Sequence, residues 1–361
     1  MSTSYGTSPI SIVGSPIERF LRGGVIPAQP LALTAERKLD ERRQQALSRY
    51  QIEAGSLGIA VAVHSTQFAI HDVHSALLEP VLALVAETAA EYPERRPLLV
   101  AGVAGSTTQA VAEAQIAASL GYDLVLLSTY GAGDLTEHQL LERARAVGEV
   151  LPVIGFYLQR AVGGRYLSRE FWQRLAEIPN VVGIKIAPFD RYATLDVIHG
   201  VGRSGRAADV ALYTGNDDHI IMDLLTSFPT QTETGAPIRL EVVGGLLGQW
   251  AVWVKNAVEI MESVARAKAG DRQALDELIA LNPALTDANG VIFDAAHRFA
   301  GCIPGIHEIL RRQGLLEGLW LLDEHEQLTP GQFEEIDRIW AAYPELRDDA
   351  FIAENLDRWL R

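Results

Sequence analysis

From about residue 23 to 270 the chain alternates short apolar runs rich in Val, Ile and Leu with longer stretches whose apolar residues recur at helical spacing. The short runs predict eight strands, at 24–28, 57–63, 97–103, 123–128, 152–157, 181–186, 210–213 and 240–243. The longer stretches predict helices at 39–54, 74–91, 108–120, 137–150, 168–178, 191–201, 218–227 and 251–268. Helix starts are marked by Thr136 before Glu137 and by Ser168 with Glu170 two residues on; Gly55, Gly121 and Pro179 mark helix ends.

Strands covered on both faces read as unbroken apolar runs, and the Leu-Leu-Val-Ala-Gly-Val run ending at Val103 is of that kind. Eight strand–helix units in succession imply an α/β fold, a (β/α)8 TIM barrel. The alternative, an open doubly wound sheet, would want a glycine-rich phosphate turn after its first strand. The first strand here runs into Pro27-Ala28-Gln29-Pro30, which cannot make one. Past residue 270 the alternation stops and helical patterns take over at 272–280, 295–301, 306–313, 330–342 and 350–360, with Gly301-Cys302-Ile303-Pro304-Gly305 read as a turn. The expected organisation is an N-terminal extension (1–22), a barrel catalytic domain (23–270) and a C-terminal helical extension packed on the barrel (271–361).

Composition removes several classes of function. Among 361 residues, 31 Lys and Arg stand against 46 Asp and Glu, a net charge of −15, so the chain lacks the basic footprint that binding to nucleic acid requires. The single cysteine, Cys302, forbids an intramolecular disulfide and any zinc site built on several cysteines. No apolar run reaches the ~18 residues of a membrane span. Met1 to Gly14 is rich in Ser, Thr and Gly without a secretory pattern. A cytoplasmic protein without nucleic-acid or membrane partners is expected.

In such a barrel the chemistry belongs at the C-terminal ends of the strands. Lys185 falls in the otherwise apolar run Val181-Val182-Gly183-Ile184-Lys185-Ile186-Ala187, where alternation can point it into the barrel. Burial would favour its neutral amine, a nucleophile toward carbonyls; a lysine snorkelling to solvent is the plainer reading. Tyr157 ends the fifth strand and could move a proton there, or simply fill the core. Ser65 and Thr66, in Val63-His64-Ser65-Thr66-Gln67 after the second strand, suit a carboxylate, though both are common loop residues. His64, His71 and His74 cluster near the same loop, and with Asp217 would suit a metal-dependent lyase or isomerase.

The run Leu-Pro-Val-Ile with its following tyrosine, Gly163-Gly164, Leu167-Ser168, Leu175-Ala176 and Pro179-Asn180-Val181-Val182-Gly183-Ile184-Lys185 resemble the dihydrodipicolinate synthase / N-acetylneuraminate lyase family of class I, Schiff-base-forming aldolases. The likeness runs from about Gly24 to Gly248 and is best between Leu151 and Ala187. It implies a barrel with C-terminal helical additions, an imine lysine at Lys185 and a proton-transfer tyrosine at Tyr157, 28 positions earlier. Counting forward from Leu151-Pro152 would instead put Phe156 at the tyrosine position; Phe has no proton to give, and Tyr157 is taken.

Other segments depart from the family pattern. The Gly-Thr-Thr-Gly-Glu loop is replaced by His64-Ser65-Thr66-Gln67-Phe68, which keeps two hydroxyls, Ser65 and Thr66, for the substrate carboxylate. Ser128-Thr129-Tyr130-Gly131 keeps only the first of two tyrosines, Tyr130. Val162 stands where true dihydrodipicolinate synthases carry an arginine, with Arg160 and Arg165 off register. After the seventh strand, Gly215 would admit substrate to the backbone while Asn216 and Asp217 contact hydroxyls, unless Asp217 and Asp218 cap the next helix. Gly245, in Gly244-Gly245-Leu246-Leu247-Gly248, would give close backbone approach to an anionic group.

The resemblance therefore implies a lyase acting on pyruvate, a related 2-oxo acid or a sugar acid, by C–C cleavage or condensation or by dehydration. It would need no external cofactor, would form a homo-oligomer (dimer or tetramer), and would not be a true dihydrodipicolinate synthase. The metal-dependent barrel and a non-catalytic 2-oxo acid binding protein are the alternatives.

Overall fold

A computed structural model describes residues 14–72 and 74–361. The Ser/Thr/Gly-rich start and most of the N-terminal extension, 1–13, lie outside the described residues, as does Val73. Eight parallel strands form the barrel: β1 (Val25–Pro27), β2 (Gly58–Val61), β3 (Leu98–Val103), β4 (Leu124–Leu127), β5 (Val153–Leu158), β6 (Val181–Ala187), β7 (Ala211–Thr214) and the second half of β9 (Pro237–Leu247). The ladder runs β1-β9-β7-β6-β5-β4-β3-β2. A parallel bridge between Ala28 and Ala60, with the Gln29 N–H donating to the Ala60 carbonyl at 2.8 Å, closes it between β1 and β2.

The strands read as continuous apolar runs because both faces are buried. Inward residues such as Ile26, Val100, Leu126, Ile154 and Tyr213 fill the barrel, while Val61, Val125, Ile184 and Leu212 pack outward against the helices. That outer ring comprises α2 (Glu41–Ala54), α3 (Leu78–Ala90), α4 (Thr107–Ser119), α5 (Glu137–Gly148), α6 (Arg169–Ala176), α7 (Arg191–Arg203), α8 (Ile220–Leu225) and α9 (Val254–Lys268). Ser106, Thr136, Ser168 and Asp190 cap four of these helices by accepting backbone N–H bonds in the first turn. Ahead of the barrel, α1 (Pro16–Arg22) starts in a capping box of Ser15 and Glu18 and lays Phe20 across the floor. The Phe20 ring stacks on Tyr213 with centroids 4.5 Å apart, and the Tyr213 hydroxyl donates to the Phe20 carbonyl at 2.6 Å.

Three elements differ from the sequence expectation. The eighth barrel strand is far longer than 240–243, because its first half pairs antiparallel with β8 (Ser227–Gln231) in a hairpin outside the barrel. The helix expected to stop at 280 continues as α10 (Arg272–Ile292) through Pro283. Proline removes one helix bond, but the buried stripe Leu278, Leu285, Ala288 and Ile292 holds the helix on its neighbours. The Gly301–Gly305 segment is not a turn; α11 (Cys302–Arg312) begins inside it. Gly305 is required by close packing, since a Cβ there would meet the Ile292 carbonyl oxygen at 1.9 Å.

With α12 (Gln332–Ala342) and α13 (Asp349–Trp359), these helices pack on the barrel through a buried polar network. The Tyr50 hydroxyl of α2 donates to Asp348 at 2.7 Å and accepts the Val254 N–H at 2.8 Å, while Gln313 donates to the other Asp348 oxygen at 3.0 Å. No helix among the described residues is long and apolar enough to cross a membrane.

Candidate active site

At the C-terminal end of the strands a cavity opens around Lys185. Its polar lining is His64 and Ser65 from the loop after β2, Gln159 after β5, Lys185 from β6, and Asp217 after β7. The walls are apolar: Ala28, Phe156, Leu158, Val162, Ala187 and Phe189. The C-terminal helices add Phe293, Cys302 and Ile306.

Lys185 is 6% exposed. Its Nζ lies over the Phe156 ring, 4.4 Å from the centroid. Burial disfavours the ammonium and lowers the lysine pKa; the Asp217 carboxylate opposes this, and burial wins. The same burial pushes the Asp217 carboxyl well above the usual carboxylate range, against the Gln249 N–H that donates to its Oδ1 at 2.8 Å and the lysine charge. Gly215 gives the lysine its room. A Cβ there would sit 2.7 Å from Lys185 Cε.

The structure separates Tyr157 from this group. Strand neighbours face opposite sides, and it is Phe156 that pairs with Lys185 on the inward face. Tyr157 faces the outer helices, packed on Trp172 with centroids 4.8 Å apart. The 28-residue spacing misleads because the β5–β6 register shifts by one residue: Val153 pairs with Val181, but Ile154 pairs with Gly183. One extra residue on β6 exchanges the faces of everything counted across it.

The remaining expected residues divide. Ser65 and Gly215 line the cavity. Thr66 does not: its hydroxyl donates to the Gln29 carbonyl at 2.6 Å and accepts the Val63 N–H. Asn216 is fully buried behind the site, accepting the Phe189 N–H and donating to Asp223, which also binds Thr214 and Arg191. Tyr130 is exposed and stacks on Phe68 with centroids 4.4 Å apart. Gly245 lies within β9, where a Cβ would run into Trp250, and Gly248 reaches the cavity instead. Arg160 is exposed beside the Tyr166 ring, and Arg165 donates to the Gly133 and Leu135 carbonyls.

Asp217 and Asp218 do not cap α8, whose N-cap residue is His219. The three histidines also part. His64 lines the cavity, His74 is exposed, and His71 is buried with Nδ1 3.0 Å from Glu113 and Nε2 2.8 Å from the Ala62 carbonyl. Among the described residues no three His, Cys, Asp or Glu side chains gather in a metal-binding arrangement. Sequence reasoning missed the walls from Phe293, Cys302 and Ile306, which distant helices bring to the mouth. For Asp217 the signal is present in the sequence: a carboxylate three residues past a strand end.

The model of the dihydrodipicolinate synthetase family matches residues 22–228. The chain is 29% identical over 208 residues to a 4-hydroxy-tetrahydrodipicolinate synthase of Cyanothece sp., covering 56% of this chain and 66% of that one, just under two thirds of its length. It is 25% identical over 279 residues to the Pseudomonas aeruginosa enzyme of the same name, covering 75% and 85%. The fold is shared with the chloride-inhibited dihydrodipicolinate synthase of Acinetobacter baumannii complexed with pyruvate, at a TM-score of 0.71, 22% identity and coverage of 90% and 98%. With the barrel, the inward lysine of its sixth strand and a family match over more than half its length, the chain belongs to the dihydrodipicolinate synthetase family.

Proposed function

We propose that the chain is a Schiff-base-forming lyase whose Lys185 amine attacks the ketone of pyruvate or a related 2-oxo acid. The observation that carries this reading is the lysine itself, an enclosed amine on the inward face of a barrel strand in surroundings that favour its neutral form. The amine adds to the ketone carbon, the carbinolamine loses water, and the iminium draws electrons from C3 so that a C3–C4 bond can break or form. Asp217 serves the first two steps: its raised proton affinity suits it to accept the lysine proton and return it to the departing hydroxyl. The Ser65 hydroxyl orients the substrate carboxylate, and no external cofactor takes part.

The partner carbonyl compound meets Leu158, Val162, Phe189, Phe293 and Ile306, and among the described lining residues there is no arginine. A small uncharged aldehyde with an apolar substituent fits these walls better than a dicarboxylate or a sugar acid. The choice of a 2-oxo acid is supported by the Acinetobacter relative, which is complexed with pyruvate. The homo-oligomeric state and cytoplasmic location implied by the family likeness belong to the same reading.

Pyruvate release from a panel of 4-hydroxy-2-oxo acids, with apolar and with sugar-like substituents, tests it. Turnover is expected to be fastest with an apolar substituent and to fall to background in Lys185→Ala. Chelator-sensitive turnover that survives Lys185→Ala would replace the imine with a metal mechanism, and binding without turnover across the panel would leave a binding protein.

A further inference from the structure

An imine mechanism needs a base at C3 of the bound 2-oxo acid. The strand position paired with Lys185 holds Phe156, which has no proton to exchange, and Tyr157 faces the wrong layer. His64 is a further titratable side chain at this cavity, beside Lys185, Asp217 and Cys302. His64 opens the short helical turn after β2, and its ring lines the same cavity as Lys185 and Ser65.

The His64 ring packs against Phe68 with centroids 5.5 Å apart, and three features leave it open to a ligand in the cavity. First, among the described residues no group hydrogen-bonds its ring nitrogens, whereas His71, seven residues on, has both of its own engaged. Second, the backbone around it is held in a demanding conformation. Ala62 and Gln67 both take left-handed φ values, 59° and 71°, which are uncommon for residues with a Cβ and cluster at functional sites. Third, the contacts that fix this loop bracket His64 on both sides without engaging its ring nitrogens. The Ala62 carbonyl meets His71 Nε2 at 2.8 Å, Thr66 Oγ1 donates to the Gln29 carbonyl, and the Leu322 N–H donates to Gln67 Oε1 at 2.6 Å. Burial, with the Lys185 charge, also pulls the imidazole down to about 4, which weakens it as a base but leaves the ring unprotonated, with a nitrogen lone pair to accept a proton, at neutral pH.

We propose that His64 is the catalytic base that removes the C3 proton of the 2-oxo acid bound at Lys185, an inference that rests on the imine reading above. A ring nitrogen takes the C3 proton, the C3–H electron pair forms the C2=C3 bond, and the iminium π pair returns to nitrogen, giving a neutral enamine and an imidazolium. The enamine then adds to the partner aldehyde, forming the C3–C4 bond as the imidazolium gives its proton to the aldehyde oxygen. In the cleavage direction the same ring takes the C4 hydroxyl proton and returns it to C3. The step the family likeness would give a phenol from β5 is thus supplied here from the β2 loop.

Exchange of the pyruvate methyl protons with deuterated water, followed by NMR on the full chain, reads this step without a partner aldehyde. Wild type should exchange them. His64→Gln and His64→Ala should lose exchange by about 10²-fold or more, while borohydride still traps pyruvate on Lys185 in both, and free imidazole should restore part of the exchange in His64→Ala. Wild-type exchange in His64→Gln, or loss of the trapped adduct in both variants, overturns the assignment of His64. Absence of any adduct in wild type overturns the imine reading itself.

Discussion

Burial acts on Lys185 and Asp217 alike by disfavouring their charged forms, so the pair can exist as a neutral amine beside a protonated carboxyl. The amine attacks only when deprotonated, so the rate of adduct formation rises with pH and levels off once the lysine is neutral. Because its pKa is lowered, that rise is expected below the range of an ordinary lysine. Asp217→Asn removes the charge that favours the ammonium; the rise should then move to still lower pH, with a slower plateau for want of the proton acceptor. An unchanged pH profile, in initial rates of adduct formation, would show that the carboxylate does not act on the lysine, and a shift to higher pH would reverse the sign of its effect. Gly215→Ala should lower the same rate by about 10²-fold, because the new Cβ takes the space of Lys185 Cε. Tyr157→Phe, in contrast, should leave it within about twofold, since the phenol lies outside the cavity. A large loss would mean that the hydroxyl reaches the site. The lysine is legible in the sequence as a lone charge in an apolar strand. The tyrosine misleads because a register shift leaves no mark in a residue count.

Among elements, the apolar runs and their periods locate every barrel strand, since burial on both faces is written in composition. What escapes are elements decided by tertiary contact. The helix through Pro283 persists because Leu285, Ala288 and Ile292 are buried, and it carries Asn289 to the site, where its side chain donates to the Asp217 carbonyl at 2.6 Å. The first five residues of α11 then set Cys302 and Ile306 in the cavity wall. The position of these helices depends on the network around Asp348. Tyr50→Phe removes the donor to Asp348 and leaves the Val254 N–H without its acceptor, and should destabilise the chain by about 1–3 kcal/mol. Urea unfolding measures this, and an unchanged midpoint would mean that the network adds nothing to docking.

For the whole molecule, the barrel has a floor sealed by Phe20 and a mouth walled partly by helices that follow it in sequence. Its net charge of −15 opposes an anionic substrate, so in the proposed reading recognition of a carboxylate falls to local groups such as Ser65, which lines the cavity. Raising ionic strength from ~0.01 M to ~0.15 M shortens the screening length from ~30 Å to ~8 Å, and the apparent KM for pyruvate is expected to fall. A rise would indicate that attraction near the mouth outweighs the overall field. The decisive measurement is borohydride reduction in the presence of pyruvate, followed by peptide mapping, for which Lys38, Lys185, Lys255 and Lys268 are the only lysines. The pyruvyl group is expected on Lys185 and absent from Lys185→Ala; an adduct on another lysine, or none with any 2-oxo acid tried, would contradict the imine.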